Sequence, residues 1–189
     1  MRIIAGTHRG RRLRKPPGLM LRPTSDRVRE ALFSILGNRL PNCRFLDLYA
    51  GTGAVAIEAV SRGAAHVTCV ESGAEALKLL RQNLLDCGMS HCITVRAQPV
   101  TQFLSRPDQR DDPYDIVFAD PPYALVGELQ SLLSHVSMDR LFAADSWLVI
   151  EHAEKTALPA SLGSGSYRRR YRYGDTALSI YSYFGTAQP

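Results

Sequence analysis

A chain of 189 residues, 45% of them hydrophobic and 22% charged, is long enough to bury one core and short enough to need no second domain, so 1–189 reads as a single domain. Its net charge of +5 sits at the ends: residues 1–30 hold nine Arg or Lys against two acids, residues 166–189 hold four against one, and the stretch between is net acidic. No run approaches the ~20 apolar residues of a membrane span, nothing near Met1 resembles a signal peptide, and Cys43, Cys69, Cys87 and Cys92 lack zinc-site pairing, so a soluble, cytoplasmic protein without a metal is expected.

In chain order, residues 2–6 and 11–15 are predicted as short strands joined by a Thr7-His8-Arg9-Gly10 turn. They form a basic N-terminal β-hairpin or arm over 1–22, ended by Pro16-Pro17-Gly18. A helix begins near Thr24 or Ser25, either of which can cap it, with Val28, Leu32, Ile35 and Leu36 as its buried stripe. Strands over 45–49, 66–71 and 93–96 then alternate with helices over 54–62 and 74–87, the second stopped by Gly88. This βαβαβ order, with right-handed crossovers, gives a doubly wound, Rossmann-like α/β sheet that is mostly parallel. A fourth strand is predicted over 114–119 and a fifth over 146–151, preceded by helical segments at 125–136 and 138–143. Loops are read at 106–113 and 159–166. At the carboxyl end Leu178, Ile180, Ser182 and Phe184 alternate with Ser179, Tyr181 and Tyr183 as a half-exposed antiparallel strand, paired with 167–173 around Gly174-Asp175.

The first strand-to-helix turn, Asp47 to Ala56, contains Gly51-x-Gly53-x-x-Ala56, where glycine lets a ligand approach the backbone. Glu71 closes the second strand twenty residues after Gly51, the place of a carboxylate that takes both ribose hydroxyls of an adenosine-containing cofactor. Asp47 can hydrogen-bond a cationic amino group and would repel a pyrophosphate, which favours a methyl donor over a nicotinamide dinucleotide. Asp120-Pro121-Pro122-Tyr123 follows the fourth strand at its carboxyl end, where open α/β sheets bind ligands. Its prolines stiffen the backbone, and the carboxylate and aromatic face suit chemistry on a flat nitrogen base. Asp-Pro is also an ordinary turn dipeptide.

Twenty of the twenty-three basic residues are arginine, whose planar fork suits phosphate. Arg9, Arg11, Arg12 and Arg14 on the arm, and Arg168, Arg169, Arg170 and Arg172 interleaved with Tyr167, Tyr171 and Tyr173, are candidate phosphate contacts. The carboxyl-terminal set also fits an edge strand guarded by charge. Three uses are open to Arg22, Arg27 and Arg29: the phosphates of a polyanion, a cofactor carboxylate, or packing against Asp26 and Glu30.

The cofactor motifs resemble class I S-adenosylmethionine-dependent methyltransferases. Arg2-Ile3-Ile4-Ala5-Gly6, the stretch Arg22-Pro23-Thr24-Ser25-Asp26-Arg27 to Phe33, the Asp47 to Gly53 loop, Asp120-Pro121-Pro122-Tyr123 and Tyr173-Gly174-Asp175-Thr176 together resemble the RsmD family, bacterial 16S rRNA guanine-N2 methyltransferases, over nearly the whole chain. The resemblance implies S-adenosyl-L-methionine as cofactor, with Asp47, Gly51 and Gly53 around its methionine part, Tyr49 beside them and Glu71 on its ribose. It implies Asp120, Pro121, Pro122 and Tyr123 at the target base, and Arg9, Arg11, Arg12, Arg22 and Arg168 to Arg172 on RNA. Where the family places an Asp or Asn at the adenine amine this chain has Gln98-Pro99-Val100, so either the Gln98 side chain or the Val100 amide is left to serve. The implied partner is 16S rRNA in the small ribosomal subunit or a late assembly intermediate, met by a monomer. Adenine-N6 methylation of DNA or RNA, and a non-catalytic RNA-binding assembly factor, are the rival readings.

Overall fold

Ser25 begins the first helix as a capping residue should: its Oγ accepts the Val28 N–H at 3.2 Å, and α1 runs Asp26–Leu36. The computed structural model describes residues 1–15, 25–105, 113–135 and 141–184, in two compact units, Met1–Pro99 and Val100–Pro189. Pro16-Pro17-Gly18, Arg22 and Thr24 lie outside the described residues, as does most of the 106–113 loop.

The first unit follows the predicted alternation. Strands β1 (Arg44–Leu48), β2 (His66–Glu71) and β3 (Ile93–Ala97) lie in the order β3-β2-β1, all parallel, with α2 (Ala54–Ser61) and α3 (Ala74–Cys87) in the crossovers. Phe45, Leu46, Val67, Cys69 and Val70 are fully buried, the continuous apolar pattern of a sheet covered on both faces. Gly88 ends α3 in the left-handed region at φ 69°, its amide bonding back to the last turn.

The basic arm is paired more sparsely than two strands would be. One isolated antiparallel bridge joins Arg2 and Arg12, supported by Ile3 N–H to the Arg11 carbonyl (3.0 Å) and Leu13 N–H to the Met1 carbonyl (3.1 Å). What holds it is docking onto α2. Glu58, wholly buried, accepts the amides of Ile4 (2.8 Å) and Ala5 (2.9 Å), and Ser61 accepts those of Thr7 and His8. A Cβ on Gly6 (φ 83°) would run into the Ser61 carbonyl, so only glycine lets the arm lie this close.

In the second unit α4 (Val100–Ser105), β4 (Tyr114–Ala119), a 3-10 turn over Tyr123–Leu125, α5 (Val126–His135), β5 (Phe142–Ala153), β6 (Ser161–Leu162), β7 (Gly165–Tyr173) and β8 (Thr176–Tyr183) follow in order. The strand order is β4-β5-β8-β7-β6. β4 and β5 are parallel; β8, β7 and β6 join by antiparallel pairings.

Three sequence expectations are corrected here. Phe142 and Ala143 belong to β5, not to a helix; residues 138–140 are outside the description. β5 starts early and takes up extra residues in a register irregularity against Tyr114 and Ile116, with Asp145 at φ 58°, which hides the strand period from sequence. The loop read over 159–166 contains β6 and the start of β7. And β8 is buried along its whole length, not half-exposed. Its polar tips find partners instead of water: Tyr181 Oη donates to the Pro159 carbonyl (2.7 Å) and Tyr183 Oη to the Leu162 carbonyl (2.9 Å). Burial pushes the Tyr181 hydroxyl up to about 12 and raises Tyr183 as well.

Ser179 of β8 also meets buried His152 of β5, Oγ to Nε2 at 2.8 Å, while Nδ1 lies 2.8 Å from the Ala153 carbonyl. Burial lowers the His152 pKa below its usual 6.5, with Arg170 adding to the effect. The unfolded chain therefore binds a proton that the fold refuses, and this share of stability is lost as pH falls through about 6.5. The melting temperature of the native chain should drop faster between about pH 7 and 5 than that of His152→Gln. Parallel curves would exclude the effect.

Candidate active site

Three of the five residues that follow β1 carry an unusual backbone. Tyr49 (φ 65°), Gly51 (φ 54°) and Gly53 (φ 78°) are all left-handed, and only the glycines are at ease there. The loop is pinned: the Ala50 amide donates to the Val70 carbonyl at 3.0 Å, Gly53 to the Ala50 carbonyl at 2.8 Å, and Gly51 to Glu71 Oε2 at 2.8 Å. Strain at Tyr49 held by so many ties marks a site where shape matters more than ease of folding.

Glu71, half-buried at the end of β2, also accepts the amides of Ser72 (2.8 Å) and Gly73 (2.7 Å), both on Oε1. A carboxylate has about four acceptor positions, so these contacts leave capacity on Oε2 for a further donor. Asp47, 1% exposed, lies beside Cys69 across the β1–β2 ladder. The Cys69 thiol is held well above its usual value by burial, then by the charges of Asp47 and of Glu71. Two carboxylates at the ends of adjacent strands make this place one that favours a cation and opposes a pyrophosphate. Asp47, Tyr49, Gly51, Gly53 and Glu71 are thus gathered on two adjacent strand ends of the first unit. Gln98, half-buried, follows β3 with its amide on the Arg96 carbonyl (3.0 Å). Val100 opens α4, buried, in the second unit.

In the second unit β4 ends at Ala119, and Asp120, partly buried, comes next, as the apolar run predicts. Pro121 is buried and Pro122 exposed, with φ −49° and ψ 139°. The Pro122 carbonyl accepts the Leu125 amide at 2.7 Å, which turns the chain at Tyr123 into the 3-10 turn and occupies that oxygen. Asp120 and Pro121 lead directly into this turn; the Tyr123 side chain lies outside the described part.

The candidate RNA contacts divide. Arg9 and Arg12 are exposed. Arg11 donates from Nη1 to the Cys87 carbonyl at the end of α3 (3.0 Å), and Arg14 pairs with Asp86 at 2.8 Å, lowering the Asp86 pKa. Arg168 and Arg169 lie over Phe184 and Tyr171, 5.0 and 5.1 Å from the ring centres. Arg170 and Arg172 share Glu154 at 3.4 and 3.9 Å. Among the described residues β6 pairs with Gly165 and Ser166 alone, so the arginine-rich part of β7, exposed from Arg168 to Arg170, lies at the edge of the sheet. Arg29, open to three uses in sequence, is a packing residue: fully buried, it donates to the Arg2 carbonyl (2.6 Å), pairs with Asp26 (3.1 Å) and lies 3.8 Å from Glu58. Arg27 is exposed.

Two polar residues that sequence reading passed over hold this frame. Glu58 sits where a helix pattern allows either core or surface, and only the docked arm makes it a hub. Asn83, 1% exposed on α3, binds the arm and the glycine loop together. Its signal was an Asn within an otherwise ordinary helix stripe, a poor helix former kept for its hydrogen bonds.

The chain is similar to known proteins over nearly its whole length. The sequence model of the family described as "Conserved hypothetical protein 95" matches residues 1–182. Ribosomal RNA small subunit methyltransferase D of Escherichia coli K12 is 33% identical over 181 residues, 96% of this chain and 89% of that protein. The solved Escherichia coli protein yhhF superposes with a TM-score of 0.83 at 34% identity, covering 98% of this chain and 99% of the other. An RNA methyltransferase of Salinibacter ruber, solved with S-adenosyl-L-homocysteine, shares the fold at 13% identity, with a TM-score of 0.64 over 88% of this chain and 97% of its own. No helix among the described residues is long and apolar enough to cross a membrane. A family match over nearly every residue and a relative of this identity across almost its full length establish that the chain belongs to the RsmD family of class I methyltransferases.

Proposed function

We propose that this S-adenosylmethionine-dependent rRNA methyltransferase acts on the exocyclic N2 amine of a guanine in 16S rRNA, presented by the small ribosomal subunit or a late assembly intermediate. The observation that carries the reading is Asp120-Pro121-Pro122-Tyr123 at the carboxyl end of β4 in a chain 33% identical, over 96% of its length, to a small-subunit rRNA methyltransferase. A ribosomal substrate puts the work in the cytoplasm, and the chain acts as a monomer.

The cofactor fits the first unit. The negative field at Asp47 and Glu71 suits a molecule carrying ammonium and sulfonium charges, and the remaining acceptor capacity of Glu71 suits a ribose hydroxyl. Asp47 would hold the amino group, Gly51 and Gly53 allow close approach to their backbone, Tyr49 sets the loop's turn, and Gln98 or the Val100 amide serves the adenine. When bound, S-adenosylmethionine supplies an electrophilic methyl group.

The chain's part in the reaction is to hold the acceptor. A guanine amine is a poor nucleophile because its lone pair is delocalised into the ring. Asp120 and the Pro121 carbonyl accept its hydrogens and favour the pyramidal nitrogen that can attack. The amine becomes acidic only as the new bond forms, so positioning and fixed electrostatics outweigh proton removal. Tyr123 stacks on the unstacked base, an interaction worth ~1–3 kcal/mol. Incubation with labelled cofactor and either small subunits or duplex DNA, followed by nucleoside mass spectrometry, tests the reading. N2-methylguanosine from rRNA is expected; label confined to adenine would replace it with the N6 alternative.

Arg9, Arg11, Arg12, Arg22 and Arg168 to Arg172 supply the phosphate contacts. Arg170 and Arg172 already share Glu154, so Arg168 and Arg169 contribute more. Log affinity for rRNA should fall linearly with log salt, and changing Arg168 and Arg169 together to Gln should make the slope shallower by roughly one to two. An unchanged slope removes this strand from the footprint.

A further inference from the structure

We infer that Asn83 is a positioning residue through which the amino-terminal arm sets the shape of the glycine loop, so that arm docking and cofactor affinity are coupled. The inference rests on the reading that the Gly51–Gly53 loop holds the cofactor. Asn83 Oδ1 accepts the Arg14 amide at 2.8 Å, while Nδ2 donates to the Thr52 carbonyl at 2.9 Å and to the Arg14 carbonyl at 3.3 Å. One planar amide therefore grips both the N–H and the carbonyl of Arg14 and the residue between the two left-handed glycines.

The chemistry demands both a donor and an acceptor. An aspartate in this place would lose the bonds to both carbonyls, and leucine would lose all three, although either fills a similar volume. Asn83 and Thr52 are 1% and 6% exposed, so water is poorly placed to substitute. Among the described backbone bonds of the loop, those from the Ala50 and Gly51 amides go to its strand neighbours, Val70 and Glu71. The Asn83 bond alone among these brings in a distant segment: the arm, whose Arg11 and Arg14 also reach the end of α3 at Cys87 and Asp86.

Linkage makes the effect reciprocal. A ligand that favours the ordered loop must favour the docked arm by the same factor, and RNA that engages the arm must alter cofactor affinity. RNA that prefers the docked arm is thereby felt at the cofactor pocket as a higher affinity.

Amide hydrogen exchange on the native chain, with and without S-adenosylhomocysteine, is the direct test. Exchange across the arm, at Arg14 above all, should slow about tenfold when the ligand binds, within the usual range of coupling between sites. In Asn83→Ala the ligand Kd should rise about tenfold and the slowing vanish, while kcat at saturating cofactor stays within about twofold, so the loss appears in KM. Arg14→Pro removes the amide that Asn83 accepts and should weaken the ligand likewise; Arg14→Ala keeps that amide and should not. If Asn83→Ala does not fold, exchange on the native chain and the Arg14 pair still decide. Ligand binding that Asp47→Ala abolishes, with exchange at Arg14 unaltered, overturns the coupling and leaves the pocket standing. Should Asp47→Ala bind as tightly as the native chain, the pocket assignment falls and the coupling with it.

Discussion

Asp120→Ala should lose about a hundredfold to a thousandfold in kcat for rRNA methylation while binding S-adenosylhomocysteine as the native chain does. The magnitude is that of removing one preorganised polar group from a transition state whose charge it stabilises. The independence from cofactor follows from the proposed roles: Asp120, after β4, serves the acceptor base, whereas Asp47 of β1, Gly51 of the loop after it and Glu71 of β2 serve the cofactor. Asp120→Asn divides the two roles a carboxylate could have. Asparagine keeps a carbonyl acceptor, so if Asp120 orients the amine the variant should stay within about tenfold of the native rate, by a loss of charge assistance alone. If proton removal limits the reaction, Asn falls as far as Ala and the pH dependence of kcat disappears with it. Calorimetry showing a parallel loss of cofactor affinity would move Asp120 out of the acceptor role altogether.

The legibility of this chain followed the range of the forces involved. β4 was read to the residue because a six-residue apolar run bounded by prolines has one structural use, and α3 because Gly88 can only stop it. α4 went unread, although Val100, Phe103 and Leu104 show helical spacing, because six residues after Pro99 give too short a period to register. β8 was misread for another reason. Serine and tyrosine at alternate positions look like a wet face, but His152 and the Pro159 and Leu162 carbonyls take up Ser179, Tyr181 and Tyr183 inside the protein. Of the candidate site, the strand-end positions of Asp47, Glu71 and Asp120 and the turn glycines were legible because glycine conformation and strand-end position are local properties. Arg29, Glu58 and Asn83 were not, since their roles exist only once residues more than twenty positions away have docked. Sequence could limit Arg29 to three uses; burial chose among them.

Glu58→Ala should cost about 3–5 kcal/mol, the range for removing one partner of a buried ion pair, and lower the melting temperature by roughly 10 °C. Glu58 and Arg29 are both fully buried, and the Glu58 carboxylate also takes Arg62 Nε at 2.8 Å and the amides of Ile4 and Ala5. Alanine strands a guanidinium inside the fold with only its Arg2 carbonyl and Asp26 contacts, and leaves two arm amides without their acceptor. Replacing both partners by apolar residues, Glu58→Leu with Arg29→Met, removes the stranded charge and should recover most of the lost stability, because well-packed apolar groups often match a buried pair. It should not restore the arm, whose amides need an oxygen and not volume. The double variant should therefore melt near the native chain yet be cut by trypsin in the arm much faster, and its rRNA affinity should fall while heat resistance does not. A Glu58→Ala chain melting within about 2 °C of native would show that water or a local shift satisfies Arg29. A double variant with a protected arm would show that Ser61 and Asn83 suffice to hold it.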